Sequence, residues 1–313
     1  MCALTPHPPL LIPEIGKDDI FTIKATQKAM ETLACRINEI KPDVIIIISP
    51  HAPLFRDIIA VLVDDPLCGD FSVYGAHEVK YCFKNDHLLI DTIIDEANEV
   101  GVKIHRFGGS GAKIPGRLQG LDHGVLVPMH FISKEVSKAV PLIVMGTALL
   151  PRNSLYALGQ GINKAAEKLG KKVVLVASGD LSHCLTKQAP AGYNPRGKEF
   201  DEKLIRCLKD KDIQGILAMD DILLDEAAEC GYRPLITALG AISNDPLDSK
   251  VLSYEGPFGV GYACALFGPK SSFGKDCSSG TVLNKESFPV ILARNAVETY
   301  VKLGKRIAPP EKI

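Results

Sequence analysis

The sequence lacks an excess of charge of either sign. Its 313 residues include 36 lysines and arginines against 37 aspartates and glutamates, which gives a formal net charge of −1 at pH 7. Proteins that bind nucleic acid or anionic membranes through broad contacts usually carry a strongly basic surface. The balanced charge argues against both kinds of partner and is typical of a soluble globular protein.

Long hydrophobic runs are also missing. The aliphatic run VIIII at residues 44–48 is far shorter than the roughly 20 residues that a helix needs to span a bilayer. Prolines interrupt the apolar start of the chain and no basic segment precedes it, so this start differs from a secretory signal peptide. We expect a soluble, cytoplasmic protein.

The cysteines lack the spacing of a paired framework. There are nine, an odd number, and no two of them form a C-x-x-C motif. Secreted disulfide scaffolds and zinc clips both depend on such close or paired cysteines. The pattern therefore predicts a reduced, intracellular chain rather than a disulfide framework.

Short apolar runs alternate along the chain with segments of helical periodicity. The runs at residues 43–49, 141–146 and 171–178 are separated by amphipathic segments. Continuous apolar runs of this length indicate strands buried on both faces, and their alternation with helices favours a parallel sheet. We predict an α/β fold, with a mostly parallel mixed sheet covered by helices on both faces.

The composition changes after residue 268. Residues 269–284 are rich in serine, glycine and lysine, which is typical of a linker. An amphipathic helix then begins, and a single helix cannot bury its own apolar face. We predict one domain at residues 1–268, a linker at residues 269–284 and the start of a second domain at residues 285–313.

Three of the eight histidines follow predicted strands: His7, His51 and His183. Ligands of open parallel sheets bind at the carboxyl ends of the strands, and clustered neutral imidazoles are typical transition-metal ligands. Prolines flank His7 and His51, and a rigid backbone helps to hold an imidazole ring still. The pattern favours a metal site at these strand ends, although the prolines could also serve only to end the strands.

The segment GLDHGVLVPMHF at residues 120–131 contains two further histidines. If the segment is helical, the seven-residue spacing places His123 and His130 on one face. His123 would lie at the start of the helix, where it can reach a pocket. His130 lies in an apolar stretch and is predicted to be a core residue.

Four motifs carry a family resemblance: TPHPPLLIPEIG, SPHAP, LDHGVLVP and SGDLSH, in this order. Together they resemble the class III extradiol ring-cleavage dioxygenases of the protocatechuate 4,5-dioxygenase β-subunit type, in the LigB/Memo superfamily, over residues 1–268. The closing fragment FPVILARNAVETYVKLGKRIAPP resembles the beginning of an AMMECR-type domain.

The resemblance implies a role for each of several residues. In these dioxygenases two histidines and a glutamate hold one Fe(II), and the two histidines match His7 and His51. His183 matches the general acid/base of the family. His123 matches a residue that lies near the metal and contacts the substrate, so His183 and His123 are the predicted catalytic residues.

Glu229 is the predicted third metal ligand, and the adjacent Cys230 is the alternative. The dioxygenases use a glutamate, which matches Glu229, whereas Memo proteins use the cysteine of CGRHP, which matches Cys230 in CGYRP. Glu229 favours Fe(II) and oxygenase chemistry, and Cys230 favours copper or zinc. Adjacent helical residues point about 100° apart, so we do not expect both to bind one metal.

The resemblance leaves alternative functions. The first hypothesis is a non-haem Fe(II) extradiol dioxygenase, an oxidoreductase that opens a catechol-like ring with O₂; a homodimer is the assembly that relatives suggest. The alternative is a Memo-like protein that binds copper, iron or zinc for a redox or binding role without ring cleavage. A third hypothesis is zinc-assisted hydrolysis, with His183 activating a bound water.

Overall fold

The structure is a computed structural model that describes residues 1–108, 120–243 and 247–269. Its strands are β1 (Cys2–Thr5), β2 (Val44–Ile48), β3 (Ile58–Leu62), β4 (Leu67–Phe71), β5 (Ala76–Phe83), β6 (Lys103–Phe107), β7 (Leu142–Met145), β8 (Val173–Ser178), β9 (Leu247–Glu255) and β10 (Tyr262–Pro269). Its α-helices are α1 (Pro13–Gly16), α2 (Lys24–Ile40), α3 (His87–Glu99), α4 (His123–Glu135), α5 (Arg152–Lys168), α6 (Pro195–Asp210), α7 (Ile213–Leu217), α8 (Asp221–Ala227) and α9 (Tyr232–Gly240).

Eight strands form one mixed sheet, in the order β6-β3-β7-β2-β8-β1-β10-β9. The four central strands β7, β2, β8 and β1 are mutually parallel, and antiparallel strands β10 and β9 extend the sheet at one side. The prediction of a mostly parallel mixed sheet is confirmed. Parallel alignment also brings the carboxyl ends of β1, β2 and β8 to the same edge.

Helices cover both faces of this sheet. Alternate residues of β2 belong to different cores: Val44, Ile46 and Ile48 pack with α3, α5, α6 and α9 in a first core. Ile45 and Ile47 pack with α2, α4 and the strands β4 and β5 in a second core. Because both faces are buried, the strand is apolar at every position, which is why its sequence lacks the alternation of a half-exposed strand.

Two parts of the structure differ from the sequence-based prediction. Strands β4 and β5 form a separate two-stranded antiparallel ribbon, and their sequence showed no strand signal. Within this ribbon Cys68 is the register partner of Cys82, and a disulfide joins them. The prediction of a reduced chain is therefore wrong for this pair, because cross-strand pairing brings together cysteines that are 14 residues apart.

The remaining expectations divide into tested and untested ones. No helix among the described residues is long and apolar enough to cross a membrane. The predicted linker at residues 269–284 starts at the last residue of β10, and its remainder lies outside the described residues, as does the predicted second domain at residues 285–313.

Close packing of α5 against α9 depends on a glycine. A Cβ atom at Gly159 would lie 1.9 Å from the backbone oxygen of Thr237, whereas a Cβ atom at Gly161 would meet its nearest neighbour, in Glu96, at 3.4 Å. We predict that Gly159→Ala lowers the free energy of unfolding by about 1–3 kcal/mol, because the helices must move apart. Urea unfolding of the purified protein measures this value.

Gly161→Ala is the matched control in the same helix. It introduces the same methyl group without a clash and should stabilise the helix by about 0.5–1 kcal/mol. Equal effects of the two substitutions would contradict the packing explanation.

His130 is buried in α4, as predicted, and its ring contacts two polar groups. Its Nδ1 atom lies 2.8 Å from the Tyr81 hydroxyl, and its Nε2 atom lies 2.7 Å from Nζ of Lys134. Burial and, to a smaller extent, the neighbouring Lys134 together lower the pKa of His130 to about 4. The folded protein therefore holds this ring neutral over a pH range in which the unfolded chain binds a proton.

This shift predicts a loss of stability in acid. The unfolded chain binds more protons between pH 6.5 and pH 4, so stability falls as the pH drops through this window. When the pH falls from 7 to 4.5, the free energy of unfolding of the wild type should decrease by on the order of 1–2 kcal/mol more than that of His130→Gln, after allowance for solvent screening. Urea unfolding at both pH values measures the difference. The exposed His77→Gln should behave like the wild type, and a wild-type pattern in His130→Gln would contradict the prediction.

Candidate metal centre

Three imidazole rings meet at the carboxyl edge of the sheet, and we refer to His7, His51 and His123 as the histidine cluster. His7 follows β1 and His51 follows β2, the two strands that flank β8, while His123 is the first residue of α4. The Nε2 atoms of His7 and His51 lie 3.1 Å apart. Ligand atoms of all three side chains lie within 4.8 Å of one another.

The cluster opens towards solvent on one side. His7 is buried, His123 is partly buried and His51 is exposed. Burial lowers the pKa of His7 well below its usual value, and the neighbouring His51, His123 and His183 lower it further. Burial likewise lowers the pKa of His123 to about 4. These two imidazoles are therefore neutral at pH 7, which is the form that binds a metal.

A single serine determines which nitrogen of His7 carries the proton. The hydroxyl of Ser178 donates its hydrogen to the backbone oxygen of Gly124, so its oxygen accepts a hydrogen bond from Nδ1 of His7 at 2.9 Å. A neutral imidazole with a proton on Nδ1 has a lone pair on Nε2. That lone pair points towards His51, into the cluster.

The arrangement fits a bound metal ion. Nitrogen ligands lie about 2.0–2.1 Å from a metal such as zinc, which places two ligands of one ion roughly 2.9–3.4 Å apart. The separation of the two Nε2 atoms, 3.1 Å, falls in this range. Two lone pairs directed at one point repel each other unless a proton or a cation lies between them, so the cluster is a candidate metal centre.

The start of α4 fits tightly against the end of β2. Ser49 donates a hydrogen bond to Oδ1 of Asp122 at 2.8 Å, which joins the two segments. A Cβ atom at Gly124 would lie 2.4 Å from Oγ of Ser49 and 3.4 Å from the ring of His51. The glycine of the LDHG motif thus allows this close approach, because a Cβ atom there would clash with the hydroxyl of Ser49 and with the Asp122 carboxylate.

Two further side chains that could bind a metal lie near His7. One belongs to the loop before α9 and the other to the loop after β8. The Sγ atom of Cys230 lies 3.7 Å from Nε2 of His7, and it accepts a hydrogen bond from the backbone of Asp180 at 3.2 Å. The Oδ2 atom of Asp180 lies 3.8 Å from the same nitrogen. Burial raises the pKa of Asp180 to about 7 and the pKa of the Cys230 thiol well above its usual value.

A contact between two glycines brings Cys230 to this place. A Cβ atom at Gly179 would lie 2.1 Å from Cα of Gly231, so the two backbones touch directly. Both Cys230 and Gly231 donate backbone hydrogen bonds to the Asp180 oxygen, at 3.3 and 3.0 Å. The segments Gly179–Asp180 and Cys230–Gly231 therefore pack directly against each other, which places the Cys230 sulfur atom next to the cluster.

Glu229, the other candidate for third ligand, has a different environment. Its Oε2 atom accepts a hydrogen bond from the backbone of Tyr232 at 2.6 Å. The residue lines a cleft of about 850 Å³ together with Arg152 and Arg233. Burial raises its pKa to about 7. The structure thus brings Cys230 to His7 and places the carboxylate of Glu229 at the start of α9.

His183 lies close enough to the cluster to influence its charge. It lowers the pKa of His7, and its own pKa is lowered by burial and by His51. Its Nδ1 atom is buried and has no hydrogen-bond partner in the part of the chain that the structure describes. A neutral imidazole can accept a proton.

Sequence reasoning missed the parts played by Ser178 and Asp180. Both belong to the SGDLSH motif at the end of β8, whose interpretation rested on His183 alone. The signal was available in principle, because polar residues that directly follow a buried parallel strand lie where ligands bind.

Comparisons with known proteins find similarity to aromatic ring-opening dioxygenases. The family described as "Catalytic LigB subunit of aromatic ring-opening dioxygenase" matches residues 1–265. Protein CA_C1420 of Clostridium acetobutylicum is 33% identical over 97% of this chain and 67% of its own length. The 3,4-dihydroxyphenylacetate 2,3-dioxygenase of Escherichia coli is 26% identical over 56% of this chain and 64% of its length.

More distant similarities extend the comparison. A MEMO1 family protein of Methanobrevibacter smithii is 27% identical over 47% of this chain and 51% of its own length, so the chain spans about half to two thirds of these relatives. The crystal structure of uncharacterized protein JW3007 from Escherichia coli K12 matches with a TM-score of 0.50 and 15% identity, over 76% of this chain and 91% of that one. This last similarity concerns the fold alone.

The role of Ser178 leads to a prediction about metal affinity. In Ser178→Ala the Nδ1 proton of His7 loses its acceptor, so the ring is no longer held with Nε2 facing the cluster. We expect metal affinity to fall about 10–100-fold, as is usual when a partner that orients a ligating histidine is removed. Anaerobic Fe(II) titration against a chromogenic chelator measures the affinity.

Thr147→Val provides the matched control. The hydroxyl of Thr147 is also buried but has no hydrogen-bond partner among the described residues, so its removal should leave the affinity unchanged. An unchanged affinity in Ser178→Ala would show that Ser178 does not orient His7.

Proposed function

Because the chain belongs to the family of the catalytic LigB subunit of aromatic ring-opening dioxygenases, we propose that it is a non-haem Fe(II)-dependent oxidoreductase that opens a catechol-like ring with O₂. The observation that carries the proposal is the histidine cluster, which is open to solvent on one side. Its similarity to a relative named 3,4-dihydroxyphenylacetate 2,3-dioxygenase supports the same chemistry.

In this proposal His7 and His51 hold the metal. Sites of two histidines and one carboxylate are typical of non-haem Fe(II) oxygenases, and Asp180 supplies a carboxylate 3.8 Å from Nε2 of His7. Bound Fe(II) supplies the oxygen chemistry, while the protein provides orientation and charge. Protons must leave any thiol or carboxyl group that binds the metal.

The proposed acid/base is His183. Its neutral ring accepts the proton of a catechol hydroxyl as the substrate binds and returns a proton later, which is the usual work of a histidine in general acid–base catalysis. His123 stands beside His51, with ring centroids 4.1 Å apart, and the proposal gives it the task of orienting the substrate.

A second candidate function rests on Cys230. Its sulfur atom lies 3.7 Å from Nε2 of His7, and a thiolate ligand favours copper or zinc over Fe(II). This observation favours a Memo-like metal-binding protein with a redox or binding role and no ring cleavage. Similarity to MEMO1 family proteins supports this alternative to the same degree.

The remaining expectations stay proposals. The family match ends at residue 265, which supports a domain boundary close to the proposed linker at residues 269–284. The AMMECR-type character of residues 285–313, the homodimer, and the small aromatic substrate and O₂ as partners rest on the resemblance of the motifs, whereas the proposed cytoplasmic location rests on the short apolar runs and the start of the sequence.

Metal analysis separates the two ligand hypotheses. We expect Cys230→Ala to weaken metal binding at least tenfold and Glu229→Ala to change it less than about threefold, because of these two residues the cysteine is the one that lies close to Nε2 of His7. Mass spectrometry of the purified protein gives the bound metal, and chelator competition gives the affinity. His77→Ala, at an exposed histidine, is the control. Loss of metal in Glu229→Ala alone would contradict this expectation and restore the glutamate as ligand.

Ring cleavage is tested on the Fe(II)-loaded protein with a panel of catechols in air. The dioxygenase proposal expects a yellow ring-opened product, and it expects His183→Gln to retain metal while turnover falls about 10²–10⁴-fold. If the iron-loaded wild type forms no product with any catechol, the dioxygenase proposal is wrong and the Memo-like function is favoured.

A further inference from the structure

The ribbon of β4 and β5 extends to the histidine cluster. The turn between the two strands carries Tyr74, whose ring meets the ring of His123 edge-on, with centroids 5.9 Å apart and an interplanar angle of 78°. Tyr74 is 39% exposed, so one side of its ring contacts the cluster and the rest is available to another molecule.

Several contacts fasten the ribbon to the segment that carries His123. The backbone of Leu121 donates a hydrogen bond to the Cys68 oxygen at 2.9 Å. A Cβ atom at Gly69 would lie 2.7 Å from the side chain of Leu121, so the strand and this segment are in direct contact. The position of the ribbon and the position of His123 are therefore linked.

The disulfide between Cys68 and Cys82 stabilises this arrangement. The two residues are directly opposite each other in the ribbon, and a two-stranded ribbon outside a larger sheet has little stability of its own. Residues on the inner side of the ribbon, among them Phe71 and Val79, pack into the second core. The ribbon should therefore stay attached without the disulfide, while the turn that holds Tyr74 becomes less restrained.

We propose that Tyr74 contacts the substrate bound at the histidine cluster and helps to determine which ring substituents are accepted, and that the Cys68–Cys82 disulfide holds Tyr74 in this position. The inference rests on the proposed function, since it requires an aromatic substrate at the cluster. A tyrosine ring offers an aromatic contact and one hydrogen-bond donor. The favoured substrate is thus a catechol with a hydrogen-bond acceptor on the side that faces Tyr74.

The test uses binding, so that it does not depend on turnover. The chromophoric catechol 4-nitrocatechol is titrated without oxygen into the Fe(II)-loaded full-length protein, and its absorption change gives the dissociation constant. We expect Tyr74→Ala to raise this constant about tenfold and Tyr74→Phe, which keeps the ring, to raise it about threefold. Val73→Ala is the matched control, because Val73 lies on the same turn and is 59% exposed. Metal content should be equal in all variants.

A double-mutant cycle tests the part played by the disulfide. The double variant Cys68→Ser/Cys82→Ser should raise the dissociation constant at least threefold, and adding Tyr74→Ala to it should give no more than the effect of Tyr74→Ala alone. Cys35→Ser, which removes a cysteine outside the disulfide, should have no effect. If the triple variant instead raises the dissociation constant by the product of the two separate effects, the proposed link between the disulfide and Tyr74 is wrong.

The possible failures point to different claims. If the wild type binds 4-nitrocatechol and Tyr74→Ala binds it with the same dissociation constant, Tyr74 has no role in substrate binding. The proposed function is not affected by that result. No binding of 4-nitrocatechol by the metal-loaded wild type overturns both, because the substrate site itself is then absent.

Discussion

One hydroxyl group, that of Ser178, links the parts of the candidate metal centre. It receives the Nδ1 hydrogen bond of His7 and donates to the backbone of Gly124 in α4, so β1, β8 and α4 meet at a single side chain. The hydroxyl can donate only one hydrogen, and this limit determines the tautomer of His7. Both the lone pair that faces His51 and the position of His123 depend on this arrangement.

The second constraint is the direct contact of two backbones. Gly179 and Gly231 have no side chains to separate them, so the loop before α9 reaches the end of β8. Cys230 lies on the side of this loop that faces His7, and Glu229 caps the first turn of α9 through the backbone of Tyr232. The side chains of Cys230 and Glu229 thus lie in different surroundings, since neighbouring side chains on a tight turn point in different directions.

Much of the fold could be predicted because the central strands are buried on both faces. The segments that form β2, β7 and β8 are apolar at nearly every position, and such strands are stable only in a sheet that is covered on both faces. The ribbon of β4 and β5 could not be predicted in the same way: only part of each strand is buried, the alternation is irregular, and glycine and aspartate interrupt it. Its disulfide depends on the register of two strands, which no local spacing reveals.

By itself, the sequence determined the α/β class, the strand ends that carry His7 and His51, and the burial of His130, because each follows from local periodicity and from the position of a residue relative to a strand. Only the tertiary structure decided which donors meet. The inclusion of His123 in the cluster, the approach of Cys230 and Asp180 to His7, and the contact of Tyr74 with His123 join segments far apart in the chain. Such contacts depend on how strands align and helices pack, and these are properties of the assembled core.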